Sequence, residues 1–411
     1  MAKRQLAQIK PDLLRWARDT AGLSLEAAAD KLKVKPGQLA RWEAGDLPPT
    51  VPQLRKAADV YKRPLALFFL PAPPAQPELP HDFRRLPGVE VPPLSPELLR
   101  EMRRARRRRA ISLELLADLG LPTPEFPLRA ALGDDTEAVA ARSREWLGVT
   151  MADQRRWRAE YQPIAGWIAA LEARSVLVFQ TGAVEVGEMR GFSLTAPELP
   201  AIVVNAKDAP RGRVFTLMHE FCHLMLNRGG VCDPARVGSE GRSPDENVEV
   251  FCNRMAGALL VPRDALLEDA RVQAVRDTSE WEDELLGALA SDFGVSREVI
   301  LRRLLILGKT TGEFYEQKRA EYLAQYAERA TGVQENGGFA PPFRVALRDN
   351  GRRYTSLVLE ALERERITPA DVTDFLGVRL KHLHQMAEAV RQSVAEVHGV
   401  WGSLEGLGYG D

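Results

Sequence analysis

The sequence predicts a predominantly helical α+β protein with an N-terminal helix-turn-helix bundle, a central domain around a small β-sheet, and a helical C-terminal extension. Three observations carry this prediction. Apolar residues recur at helical spacing through residues 1–70 and again beyond 249. Three short β-type runs lie between 176 and 204, each bounded by turn residues. Two stretches rich in Pro or Gly, 71–96 and 330–342, punctuate the chain. At 411 residues the chain exceeds what one hydrophobic core organises, and its 45% apolar and 27% charged content excludes disordered or fibrous classes.

In the first 70 residues, Leu13, Leu14 and Ala17 mark one helix. Gly22 and Ser24 then supply a stop and a new N-cap. A second helix carries Leu23, Ala27, Ala28 and Leu32, and the small Ala27 and Ala28 admit a close neighbour. The third, 35–44, turns Leu39 and Trp42 inward and ends at Gly45. A fourth opens at Pro52, buries Leu54, Ala57, Ala58 and Tyr61, and closes at Pro64. Nine prolines between Pro71 and Pro96 make 71–97 an extended linker. The predicted central domain covers 98–328, with helices at 98–116, 138–147 and 164–171, strands at 176–179, 192–194 and 202–204, and helices at 249–260 and 298–307. A C-terminal domain, 343–411, holds helices at 354–366, 369–376 and 380–390.

Net charge is −1, so affinity for nucleic acid must come from a local patch. Residues 1–72 provide one, with thirteen Lys or Arg against seven acids. In a basic helix-turn-helix the third helix enters the major groove, which makes Lys35, Gln38 and Arg41 the candidate DNA contacts. Pro36 and Gly37 occupy positions where a base-reading helix carries amide or charged side chains, so docking to protein is the competing role. The arginine run within 103–109 reads as a solvated helix face that binds acidic neighbours, in preference to a nucleic-acid patch. No signal peptide is evident, no apolar run near the N-terminus is long enough to span a bilayer, and three cysteines cannot build a disulfide framework. The expectation is a cytoplasmic protein with no membrane partner.

The sharpest signal is His219-Glu220-Phe221-Cys222-His223, set in an apolar stretch free of Gly and Pro after Gly212. On a helix, two histidines four apart project from one face and suit one Zn²⁺ ion, while Glu220 can serve as general base. The chain holds only six histidines, which makes a chance pair at this spacing improbable. A third ligand should come from a neighbouring rigid element, and Glu249, on the next apolar helix, is the first candidate. Asp245, Glu246 and Glu240 compete from the preceding loop. Asn253, one turn beyond Glu249, can orient a ligand or contact substrate.

HEFCHLML followed by ENVEVFCNRMAGALLVP, and preceded by VNAKDAPRGRVFTLM, resembles the ImmA/IrrE metallo-endopeptidase family, with its His-Glu-x-x-His helix and later Glu-x-x-x-Asn helix ending in Leu-Leu-x-Pro. The match covers most of residues 98–310, and the N-terminal bundle resembles an XRE-type DNA-binding domain. The resemblance implies a zincin-like peptidase domain, with His219, His223 and Glu249 as zinc ligands and Glu220 as catalytic base. It also implies a protein substrate, a repressor in a stress-response or mobile-element circuit. A DNA-binding regulator with a structural or inactive zinc site is the alternative. The chain departs from the family in carrying Cys222 and Cys252 where small residues are usual; with Cys232 in the intervening loop, they read as small buried hydrophobes ahead of any redox role.

Overall fold

A computed structural model describes residues 5–74, 81–82, 94–232, 243–277, 279–332 and 341–400. Among these, 5–74 and 94–104 form one compact unit, and 81–82 with 105–400 a second.

The first unit contains helices α1 (Pro11–Thr20), α2 (Leu25–Leu32), α3 (Pro36–Ala44) and α4 (Val51–Tyr61), followed by a 3-10 turn, Leu65–Phe69. Ser24 caps α2 by accepting from the Ala27 amide. With that cap in place, Ala28 and Ala29 are the buried small residues and Ala27 is exposed, which shifts the expected contact by one position. Leu13, Leu14, Leu39, Trp42, Leu54 and Tyr61 close the core. Glu43, on the inner face of α3, is buried and receives Arg18 Nε at 2.7 Å and Nη2 at 2.9 Å, while Arg15 donates to its carbonyl at 2.8 Å. This forked pair ties α1 to α3 and was not visible in the local pattern.

A long helix, α5 (Pro96–Asp118), carries the arginine run. The expected solvated face that binds acidic neighbours holds for Arg107, which is exposed, whereas Arg103, Arg108 and Arg109 turn to backbone carbonyls. Arg103 donates to the Thr20 carbonyl at 2.6 Å. In the second unit Arg108 is buried against the Phe179 ring and the Asp349 carbonyl, Arg109 holds the carbonyls of Glu198 and Leu199, and Arg107 pairs with Asp374. Long stems with forked heads let arginine reach backbone acceptors that periodicity does not reveal.

The second unit is built on a five-stranded sheet of order β1-β5-β3-β4-β2, from β1 (His81–Asp82), β2 (Leu177–Thr181), β3 (Gly191–Leu194), β4 (Ala201–Asn205) and β5 (Gly230–Cys232). The pairs β2/β4 and β1/β5 are parallel, whereas β3 runs antiparallel to β4 and β5. Strand β4 is wholly buried, as its unbroken apolar run requires. The two outlying pieces were not foreseen, because β1 and β5 are too short to show alternation. Cys232 consequently lies in a strand, not a loop.

Helices α6 (Thr136–Leu147), α7 (Met151–Arg156) and α8 (Gln162–Ala173) lie between β1 and β2 in the chain, and α9 (Pro210–Met225) packs on β3 and β4. After β5 come α10 (Pro244–Leu260), α11 (Arg263–Leu267), α12 (Ala270–Ala274), α13 (Asp283–Phe293), α14 (Arg297–Ile306) and α15 (Gly312–Gly332). The last helices are α16 (Pro342–Asn350), α17 (Arg352–Glu363), α18 (Pro369–Leu376) and α19 (Leu383–Val400). Helix α10 starts five residues before the predicted 249, because Ser243 accepts from the Glu246 amide and Pro244 fills the first helical position. Three buried polar side chains then satisfy its C-terminal carbonyls. Arg144 reaches Leu259, Gln154 reaches Leu260 and Arg303 reaches Val261, each at 2.8 Å.

Gly351, with φ of 72°, joins α16 to α17 where a Cβ would lie 2.3 Å from the Val178 carbonyl oxygen. Beside it, the Arg353 amide donates to Glu172 at 3.3 Å. Burial pushes the Glu172 carboxyl up to about 7, against the opposing pull of that amide and of Arg352 and Arg353. A carboxyl raised in the folded state favours folding most below its ordinary value of 4.5, and the benefit disappears as pH rises through 7. Glu172→Gln, which cannot ionise, should therefore gain stability over the parent as pH goes from 5 to 8, by up to about 3 kcal/mol in denaturant melts. A pH-independent difference would contradict this. In the first unit, Glu43→Gln should lower hydrogen-exchange protection of α1 and α3 by about 3 kcal/mol; unchanged protection would assign the Arg18 pair no structural weight.

Candidate metal centre

Helix α9 begins with Pro210 at its first turn, and residues 213–225 are all buried. A helix buried on every side is ordinarily apolar throughout. Here Thr216, His219, Glu220 and His223 fall at spacings of three and four, forming one polar stripe inside the core. Such a stripe costs free energy unless each group has a partner. On the neighbouring helix α10, Glu249 and Asn253 are likewise buried and four apart.

The imidazoles are oriented from behind. His219 Nδ1 is 3.0 Å from Asn253 Oδ1, and His223 Nδ1 is 3.0 Å from the Arg228 carbonyl oxygen. The carbonyl partner requires Nδ1–H on His223, and the Asn253 oxygen imposes the same on His219. Asn227, in the left-handed region at φ 51°, turns the chain after α9 so that Arg228 can reach back. Both Nε2 atoms therefore present lone pairs forward. They are 3.1 Å apart, and Glu249 completes the triangle with Oε2 at 3.3 Å from His219 Nε2 and Oε1 at 3.2 Å from His223 Nε2.

Three bases thus converge with no polar hydrogen of the neutral tautomers between them. Neither Glu249 oxygen receives a conventional hydrogen bond from the protein, although the residue is 1% exposed. Burial pushes the Glu249 carboxyl up, and positive charge on the facing His219 and His223 edges outweighs it and holds it down at about 2; with lone pairs forward on both rings, that charge must come from a bound cation. The group is then an anion at neutral pH. A tetrahedral zinc site with bonds of about 2.05 Å separates its ligands by about 3.3 Å, so both the donor set and the observed spacings fit one Zn²⁺. Among the described residues, His219, His223 and Glu249 form the group of ligating side chains close enough to share an ion.

Of the competing carboxylates, Asp245 and Glu246 lie in the first turn of α10 and outside this group, while Glu240 falls outside the described residues. Glu220 is fully buried on the same stripe. Gly191 of β3 abuts it: a Cβ there would lie 2.6 Å from Thr216 Cγ2 and 3.0 Å from Glu220 Cγ. Sequence reasoning missed Gly191, whose only signal was a glycine opening a β-type run. Cys222 and Cys252 are buried in the core cluster and not joined in a disulfide.

Two variants test the arrangement. Asn253→Ala should weaken zinc affinity about 10- to 100-fold in competition titrations, by releasing the His219 ring; wild-type affinity would show that the hydrogen bond is dispensable. Gly191→Ala should destabilise the protein by about 1–3 kcal/mol, since the added methyl must displace Thr216 or Glu220. A neutral effect on melting would contradict this contact.

Comparison with known families finds two matching segments. Residues 175–305 match the IrrE N-terminal-like domain, Peptidase_M78, and residues 12–68 match a helix-turn-helix domain, HTH_31. No curated protein matches the chain. No helix among the described residues is long and apolar enough to cross a membrane. The chain therefore carries an ImmA/IrrE-type M78 peptidase domain behind an N-terminal helix-turn-helix domain.

Proposed function

We propose that the protein is a zinc-dependent endopeptidase that cleaves a transcriptional repressor in a stress-response or mobile-element circuit, and that its N-terminal domain binds DNA. The observation that carries this reading is the convergence of His219, His223 and Glu249 on a common point, with Glu220 on the same polar stripe. A Zn²⁺ ion held by those three side chains would supply Lewis acidity toward a scissile carbonyl. Asn253 and the Arg228 carbonyl hold a proton on Nδ1 of each imidazole and aim its Nε2 forward. Glu220 takes a proton from the attacking water and returns it to the leaving amine nitrogen. The missing side chain of Gly191 leaves the Glu220 carboxylate its space. The repressor substrate rests on the resemblance of the motifs to the ImmA/IrrE family. For DNA, Lys35 and Arg41 are exposed and Gln38 is half-buried, while Leu39 and Trp42 anchor the opposite face of α3.

Glu220→Gln should keep the parent's zinc content and circular dichroism while cleavage of a partner repressor falls at least about 100-fold. Undiminished cleavage would remove Glu220 from the role of base. The rival, a purely structural zinc site, is favoured by the complete burial of His219, Glu220 and His223 and predicts that the zinc-loaded parent cleaves nothing. In salt titrations of DNA binding by the full chain, Lys35→Ala and Arg41→Ala should each reduce the slope of log K against log salt by about 1. Slopes equal to the parent's would point the bundle toward a protein partner.

A further inference from the structure

A cavity of about 240 Å³ lies in the second unit among α8, β2, α9 and α16. Ile164 and Ile168 give it an apolar wall, Tyr161 stands exposed at its edge, and Gln180, Arg213 and Arg348 supply the polar side. None of His219, His223 and Glu249 lines it. Arg213 is seven residues before Glu220 on α9, two helical turns or about 10 Å along the axis.

The charges around this cavity do not balance. Arg348 is matched by Asp349, whose Oδ1 accepts from Nε at 2.9 Å and Nη2 at 2.7 Å. Asp208, the nearby acid on the other side, is taken by Arg190 at 2.9 Å. Arg213 is 5% exposed, and among the described residues no carboxylate pairs with it. Its Nη1 donates to the neutral Gln180 Oε1 at 2.9 Å, its guanidinium lies 5.6 Å from the Tyr161 ring centroid, and its buried Nε has no acceptor. Burial lowers the Arg213 pKa from its ordinary value, opposed first by Tyr161, with the like charge of Arg348 adding to the lowering and Asp208 and Glu160 opposing it less. A buried guanidinium without an anion is costly, and forked donors match a carboxylate.

We propose that this cavity binds a small organic carboxylate, its anionic end on Arg213 and its hydrocarbon body against Ile164 and Ile168. A dry cavity of roughly 150 Å³ accommodates benzene, so the larger space here admits a body of that size with a carboxyl group attached. The ligand is a free acid, and the site is distinct from the metal centre. Its occupation neutralises a buried charge on the same helix that carries His219, Glu220 and His223.

The test is calorimetric titration of the full-length, zinc-loaded protein with benzoate and isocaproate, with benzamide and inorganic phosphate as controls. Both carboxylates should bind, and benzamide and phosphate should bind at least about tenfold more weakly. Arg213→Gln keeps a polar partner for Gln180 and should weaken benzoate at least about tenfold, while Ile168→Trp should abolish binding by filling the apolar end and leaving the guanidinium intact. Failure of both acids to bind at millimolar concentration, affinity unchanged by both substitutions, or preference for phosphate would overturn the proposal. So would binding of N-acetylglutamate N-methylamide in place of the free acids, which would assign the cavity to a peptide side chain. The readout is binding alone, so its failure leaves the peptidase reading standing.

Discussion

The structure of the second unit is organised by a local electrostatic problem. Two imidazole nitrogens and a carboxylate point at one another in the protein core across 3.1 to 3.3 Å, and the protons that would let them hydrogen-bond are held behind the rings by Asn253 and Arg228. Three electron pairs at that separation repel unless a cation lies between them. A divalent ion relieves the repulsion and offsets the burial of Glu249, so the same contacts that would destabilise a core without metal bind α9 to α10 when metal is present.

Much of the surrounding architecture holds those two helices in place. The C-terminal carbonyls of α10 are taken by Arg144, Gln154 and Arg303, arriving from three different helices, which fixes the helix along its axis. Strand β3 lies against α9 at Gly191, where the absence of a side chain brings the sheet close to Thr216 and Glu220. Backbone close to a helix at one residue, with paired strands on both sides of β3, leaves little freedom for the polar stripe to rotate. Such rigidity suits the proposed site, in which a base and three ligands would have to be kept within fractions of an ångström.

The candidate metal centre was legible because its residues obey helical spacing: His219 and His223 four apart, Glu249 and Asn253 four apart, each pair on an apolar helix. Spacing alone does not decide among Glu249, Asp245, Glu246 and Glu240, since that choice depends on where α10 begins, and its Ser243-Pro244 start lies in a stretch whose Gly and Ser content reads as loop. Most helices of the N-terminal bundle were equally visible, with Ala27 expected where Ala29 is buried beside Ala28. What was hidden involves contacts between residues far apart in sequence. The Arg18–Glu43 pair, the carbonyl-bound arginines of α5, the short strands β1 and β5, and Gly191 beside Glu220 all depend on tertiary approach, which periodicity does not encode.

Zinc K-edge X-ray absorption on the purified full-length protein tests the central claim most directly, since it reports the atoms around the metal without reference to activity. The account predicts one zinc per chain surrounded by nitrogen and oxygen at about 2.0–2.1 Å, with the multiple-scattering signature of two imidazoles and no sulfur. A sulfur neighbour near 2.3 Å, which would bring a cysteine into the coordination sphere, or a spectrum without imidazole scattering, would contradict it.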